Sequence, residues 1–185
     1  MSAKVVATWP VPGAPFTKAD LEELPDDGRR YELIDGVLIV TPTPTWQHQG
    51  ALRELVILLQ RNCPEELEVF IGPLNVDLAE DSLLRPDALV VRRDRLGEEQ
   101  LAGMPELIIE VVSANTRQFD QILKHSRYED AGCPSYWVVD PDVPSIAAWE
   151  LVDGRYVEAG RAEGDTELVL TRPYQVVVNP ARLVD

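Results

Sequence analysis

Glu110 lies inside an otherwise unbroken apolar run, Leu107-Ile108-Ile109-Glu110-Val111-Val112. A run of this kind reads as a strand covered on both faces, the place of a central strand in a sheet flanked by helices. A carboxylate there must be paired, protonated or bound to a metal, because an isolated charge in apolar surroundings is expensive. A second acid stands at the head of a second apolar run, where Arg85-Pro86-Asp87 leads into Ala88-Leu89-Val90-Val91. Two carboxylates on two buried strands read as a divalent-metal site. Downstream of Glu110, a helix-like stretch carries Lys124, a cation of the kind that phosphate chemistry uses beside acids and a metal.

The rest of the pattern surrounds these strands with an α/β fold. Thr17 with Asp20 three positions on reads as the start of a short helix ending at Leu24. Arg30 to Ile34 and Val37 to Val40 flank Asp35-Gly36, the signature of a hairpin with a type I′ turn. Thr43-Pro44 places a cap and a first-turn proline before a helix over 43–61, with Ala51, Leu52, Leu55, Val56 and Leu59 at helical spacing. His48 falls near its start, off the core face. Strands are expected at 69–71, 75–78, 87–91 and 107–112, then a helix over 116–131 closed by Gly132, then a strand over 135–139. The last three form a strand, crossover helix and parallel strand. The tail, with 146–151, an Asp153-Gly154 turn, 156–159 and 168–178, reads as antiparallel. The whole is expected to be one domain over 1–185, with an irregular, proline-interrupted arm over 1–16.

Charge narrows the function. The net charge is -15, which repels polyanions over most of a surface, so any nucleic-acid contact must rest on a local basic patch, on metal or on an oligomer. Arg92, Arg93 and Arg95 form the one dense basic cluster, directly after the Asp87 strand. Cys63 and Cys133 stand alone, giving neither a zinc spacing nor a disulfide framework, and both read as structural thiols. No segment reads as a signal peptide or a membrane span, so a soluble, cytoplasmic protein is expected.

Taken together, Tyr31-Glu32-Leu33-Ile34-Asp35-Gly36, His48, Pro86-Asp87, Glu110-Val111-Val112-Ser113, Thr116, Asp120, Lys124, Tyr128, Gly132 and Tyr136-Trp137-Val138-Val139-Asp140 resemble the Uma-type restriction endonuclease family of the PD-(D/E)XK nuclease superfamily. The resemblance implies a restriction-endonuclease-like mixed central sheet with flanking helices and an antiparallel C-terminal extension. It implies Mg²⁺-dependent hydrolysis of DNA, with Mn²⁺ as a substitute, by a chain that associates as a dimer. Asp87, Glu110 and the backbone carbonyl of Val111 would hold the metal. The lysine expected two residues after the glutamate is replaced by Val112, and Lys124 is the residue that matches its relocated position; Lys4 and Lys18 are the other lysines. Glu32 and His48 match further site members, and Ser135 stands where the family often has an acid.

Each residue also has a plainer reading. Asp87 could mark a strand-entry turn, Glu110 could pair with an arginine such as Arg85, and Lys124 could be a solvated helix residue near His125 and Arg127. Glu32 could pair with Arg29 or Arg30, and His48 could be a capping or surface histidine. Asp120, Lys124 and Tyr128, four apart, form one stripe in which Asp120 and Lys124 could be an ordinary helix ion pair. His125 reads as surface, Tyr136 and Trp137 as core, and Asp140-Pro141-Asp142 as a turn. Alternatives to a DNA endonuclease are a non-catalytic binding or regulatory protein on the same fold and a metal-dependent hydrolase of a small phosphoester.

Overall fold

The computed structural model describes residues 13–41, 43–97, 101–112 and 119–184. Its elements run α1 (Lys18–Glu22), β1 (Arg30–Ile34), β2 (Val37–Thr41), α2 (Trp46–Asn62), β3 (Leu67–Ile71), β4 (Val76–Ala79), β5 (Ser82–Leu84), β6 (Ala88–Arg92), β7 (Leu107–Val111), a π-helical stretch Phe119–Lys124, α3 (His125–Asp130), β8 (Ser135–Asp140), β9 (Ser145–Val152), β10 (Arg155–Glu163), β11 (Leu168–Leu170) and β12 (Val176–Val178). Short 3₁₀ turns cover Arg93–Arg95 and Pro180–Leu183. The chain divides into two compact units, one of Met1–Thr43 with Asp77–Leu84 and one of Pro44–Val76 with Arg85–Asp185.

The first unit is built on the predicted hairpin. Asp35 (φ 51°) and Gly36 (φ 73°) both take the left-handed conformation that a type I′ turn requires, and Arg30↔Thr41 through Ile34↔Val37 pair without a slip. The small strand β5, which the sequence pattern does not announce, adds to β1 at Leu33↔Leu83. Ser82 Oγ accepts a hydrogen bond from the Asp35 amide at 3.0 Å, tying the turn to it. Thr17 and Asp20 form the reciprocal cap expected of them. Leu21, Tyr31 and Leu33 make a small apolar cluster with Phe16, Leu24, Leu38 and Leu83 packed on it.

The second unit holds a six-stranded mixed sheet in the order β10-β9-β8-β7-β6-β3. Only β7 and β8 run parallel, as a helix-containing crossover demands; the other neighbours are antiparallel, and β9 and β10 form the expected antiparallel extension. Strand alternation sorts the side chains. Leu107, Ile109 and Val111 of β7 join Ala88, Val90, Trp137 and Val139 in the core that also takes Ala51, Leu52, Leu55, Val56 and Leu59 of α2. Ile108 and Glu110 therefore face the other side.

Most element boundaries differ from the pattern by a residue or two, and three changes stand out. The α2 cap is Thr45, whose hydroxyl accepts from the His48 amide at 3.3 Å, while Thr43 donates its hydroxyl to the Gly28 carbonyl. The fourth strand is shifted by one residue, from 75–78 to Val76–Ala79. The crossover is π-helical over Phe119–Lys124 before α3 begins; its expected start at 116, like Ser113 and the arm before residue 13, lies outside the described residues. Gly132 (φ 80°) closes α3 as expected, with its amide on the Glu129 carbonyl and the Cys133 amide on that of Tyr128.

Gly72 fixes the entry of β6. Its amide donates to the Asp87 carbonyl at 2.7 Å, and an added Cβ would run into the Pro86 carbonyl oxygen and come within 3.3 Å of that of Asp87. Gly72→Ala is therefore expected to lower stability by about 1–3 kcal/mol, the usual range for overpacking, and to displace Asp87. Urea denaturation and a crystal structure of the variant, taken together, check both effects.

Candidate functional site

The site grows from the β6–β7 register. Val90↔Leu107, Leu89↔Ile108 and Ala88↔Ile109 are paired, so one further step sets Asp87 opposite Glu110. The Val111 amide donates to Asp87 Oδ2 at 2.8 Å. In antiparallel pairing the amide and carbonyl of one residue point to the same neighbour, so the Val111 carbonyl is turned to the Asp87 side as well.

Glu110 is fully buried (0% exposed), and so is its partner Lys124 (1% exposed). Lys124 Nζ donates to Glu110 Oε1 at 3.0 Å, and Tyr128 Oη donates to the same oxygen at 3.0 Å. The lysine closes the π-helical stretch and the tyrosine sits four residues on in α3, so one helical face delivers both donors to one carboxylate oxygen. The ion pair is with Lys124 and not with Arg85, whose Nε donates to Asn75. The reading of Lys124 as a solvated helix residue is thereby overturned. The side chain of Asp120, the other member of the stripe, lies outside the described residues.

His48 is 7% exposed and falls on the buried stripe of α2 with Ala51, Leu52 and Leu55, a correction to its expected place off the core face. Its Nε2 lies 3.1 Å from Asp87 Oδ2, on the oxygen that also accepts from Val111. The periodicity carried the signal: 48, 52, 55 and 59 are one helical face, and a polar residue on such a face needs a partner. Two donors thus converge on one oxygen of each acid. Among the described residues no three side chains of His, Cys, Asp or Glu are grouped to hold a metal ion. The donor set is instead two carboxylates and a backbone carbonyl, hard oxygen ligands of the kind that suit a cation retaining several waters.

The sequence model of the Uma2 family, described as "Putative restriction endonuclease", matches residues 19–179. The chain belongs to this family. A solved structure titled as a "putative nuclease belonging to DUF820" from Anabaena variabilis superposes with a TM-score of 0.71 at 18% identity, over 92% of this chain and 98% of that one. At that identity the likeness speaks for the fold, a mixed α/β sheet arrangement of the expected class. The search of curated proteins found no match.

Four residues singled out from the Uma-type pattern, Asp87, Glu110, Lys124 and His48, share this cluster with Val111. Glu32 belongs to the first unit, fully buried on β1 opposite Ile39, with Oε2 3.8 Å from Arg30 Nε. Ser135 is buried, with its hydroxyl on the Trp149 carbonyl at 3.5 Å. Asp140 Oδ1 accepts from the amides of Asp142 and Val143, making the turn expected there. No helix among the described residues is long and apolar enough to cross a membrane.

The arginines of the basic cluster are at the surface and each has an acidic neighbour. Arg92 pairs with Asp94 at 3.2 Å, Arg93 with Glu68, and Arg95 with Glu106 at 3.2 Å. Cys133 is buried, its thiol donating to the Ser135 carbonyl at 3.1 Å, and burial pushes its pKa up to about 12, which fits a structural thiol.

His125, expected at the surface, instead packs edge-on against Trp149 and Tyr156, both at 5.0 Å between centroids, beside Tyr136 at 6.0 Å. Burial holds its pKa below the ordinary 6.5, against a smaller opposing pull from Glu129. The unfolded chain therefore takes up this proton more readily than the folded one, and stability falls as pH drops through about 6.5. The urea midpoint is expected to be lower at pH 5.5 than at pH 7.5, by a margin that shrinks in His125→Phe. An unchanged margin in that variant would assign the fall to other groups.

Proposed function

We propose that this chain is a metal-dependent nuclease that hydrolyses phosphodiester bonds in DNA. The observation that carries the reading is the buried cross-strand acid pair with a buried lysine already locked onto one of its members. Asp87, Glu110 and the Val111 carbonyl would hold Mg²⁺, with Mn²⁺ as a substitute. When bound, such an ion supplies Lewis acidity for activating a water and polarising a phosphate.

The chain's own residues supply the rest. Lys124 carries positive charge to the carboxylate edge where a phosphoryl group would gain negative charge. Tyr128 and Lys124 together fix the Glu110 carboxylate, and His48 and the Val111 amide fix that of Asp87. Each acid is thus preorganised in one orientation, which a hard cation with strict geometry rewards. Cutting both strands of a duplex would use two copies of the chain, and a twofold dimer is the commonest way to supply them. A wholly monomeric species in sedimentation would limit each encounter to one strand.

Asp87→Asn and Glu110→Gln keep shape and neutral hydrogen bonding while removing charge. Each is expected to lose most Mn²⁺ affinity in calorimetric titration, and unchanged binding in either would remove the metal site. Lys124→Gln keeps a donor for Glu110, so Mn²⁺ binding should not fall, whereas cleavage should drop by roughly 10² to 10³, the effect of losing one preorganised electrostatic donor. Full activity in that variant would sink the role given to Lys124. A wild type that binds Mn²⁺ but cleaves neither duplex, single strand nor small phosphoester would instead be a binding protein on this fold, the reading that net charge -15 favours.

A further inference from the structure

A sheet edge is a row of backbone groups ready to pair with another strand, and natural chains blunt it with charge, proline, a bulge or short length. Among the described residues the edges follow that rule, with one exception. In the six-stranded sheet, β3 carries Glu68, and β10 carries Arg155, Glu158, Arg161 and Glu163 with a register shift between Glu158 and Gly160. In the four-stranded sheet β4 carries Asp77, and the separate pair β11 and β12 has three residues in each strand. The exception is β2, the other edge of the four-stranded sheet. Its five residues, Val37, Leu38, Ile39, Val40 and Thr41, include no charge and no proline, and they pair with β1 without a bulge.

The hairpin defines which backbone groups of β2 face outward. A two-residue turn closes on a hydrogen-bonded pair, here Ile34↔Val37, and bonded and non-bonded pairs then alternate along the ladder. Val37, Ile39 and Thr41 therefore turn their backbone groups to β1, while those of Leu38 and Val40 point away from it. Side chains are open to solvent as well, with Val37 57% and Val40 45% exposed. Leu38 packs on the small cluster of Leu21, Tyr31 and Leu33. Val40, opposite Tyr31 and on the same face as Leu38, continues that apolar face but stays uncovered.

We infer that β2 is an interface for a second copy of this chain, formed by antiparallel pairing of the two β2 strands about a twofold axis at Ile39. This register satisfies both outward-facing residues of each strand. Leu38 and Val40 of one copy exchange both backbone bonds with Val40 and Leu38 of the other, and the two Ile39 residues face each other as a non-hydrogen-bonded pair. Each exposed Val40 is then covered by Leu38 of the other copy, so the two small clusters join across the axis. Charge points to the same place. A chain of net charge -15 repels its own kind over most of its surface, and a strand without charges lets two copies meet where repulsion is least. The twofold occupies both β2 edges, so growth stops at two. A five-residue strand pair is small beside the ~800 Å² per partner of a standard interface, so the dimer is weak and depends on concentration.

Sedimentation velocity over a concentration series into the high micromolar range tests this. No arm of it reads cleavage, so the nuclease reading stands or falls separately. Wild type is expected to show an equilibrium between monomer and dimer. Val40→Lys puts an ammonium against Leu38 of the second copy and should raise the dissociation constant roughly tenfold or more. Val157→Lys, at a valine 53% exposed on β10, should leave it unchanged. Both valines are exposed, so the substitutions leave the core intact, and a thermal melt of each variant confirms it. Cross-linking tests the register. Facing residues of a non-hydrogen-bonded antiparallel pair have Cα atoms about 4.5 Å apart, within disulfide reach. Ile39→Cys should therefore give a covalent dimer under mild oxidation, above the wild-type background. Val37→Cys, which would lie opposite Thr41 of the second copy, should give roughly tenfold less. A wild type that stays monomeric, or that forms a series of species larger than a dimer, overturns the inference; the monomer would leave the edge to an extended segment of another protein. A dimer that Val40→Lys does not weaken, or that Val157→Lys weakens as much, overturns the choice of surface, and equal cross-linking at positions 39 and 37 overturns the register.

Discussion

The Glu110–Lys124 pair is the interaction around which the second unit is arranged. Taking a carboxylate and an ammonium out of water costs several kcal/mol for each ion, and their attraction offsets this only with good geometry and further hydrogen bonds. Both conditions shape the fold. The carboxylate needs a strand that brings it to a defined register, the ammonium needs a helix close enough to reach it, and Tyr128 supplies the additional donor. An apolar pair of similar volume would serve stability at least as well. Stability alone therefore does not account for the ion pair, and the surrounding unit has to make it tolerable.

Asp87 meets the same demand by different means. It stands at the head of β6, where the Val111 amide of the neighbouring strand reaches its side chain, and the second donor comes from the first turn of α2. That helix covers the face of the sheet opposite to Glu110, through Ala51, Leu52, Leu55, Val56 and Leu59. The two acids thus draw their donors from two different helical segments, one on each side of the sheet. Gly72 completes the setting by letting the backbone of residues 86 and 87 pass without a Cβ in its way. The position of each carboxylate depends on packing that is mostly aliphatic and has no chemistry of its own.

Much of this was legible because the relevant signals are local. An acid within an unbroken apolar run announces a buried charge, Asp35-Gly36 between two alternating stretches announces a hairpin, and Gly132 after a helical stripe announces its end. Other features depend on distant contacts. His48 reads as off the core face when the buried stripe is counted from Ala51, although 48, 52, 55 and 59 share one face. The basic cluster Arg92, Arg93 and Arg95 read as a patch because its partners Glu68 and Glu106 come from elsewhere in the chain. His125 carries no sequence mark of the aromatic surroundings that β8, β9 and β10 bring to it. Short β5, with three residues, falls below the length at which alternation has meaning.

The place of Lys124 follows from the same physics of burial. Val112, two residues after Glu110, is itself fully buried, and its amide is taken by the Val139 carbonyl of the parallel strand. Brought in from the crossover segment, the ammonium arrives at the end of a long, flexible stem that can lie against apolar surface on the way. The π-helical geometry matters at this point, since the extra residue in its turn changes which side chains face the sheet before the regular α3 begins. Lys124 at the end of that stretch and Tyr128 one α-helical turn later then meet on a single oxygen. Delivered from the helical crossover, the ammonium is coupled to the placement of that segment, so that a shift of the crossover would move the charge relative to both acids while leaving the sheet undisturbed.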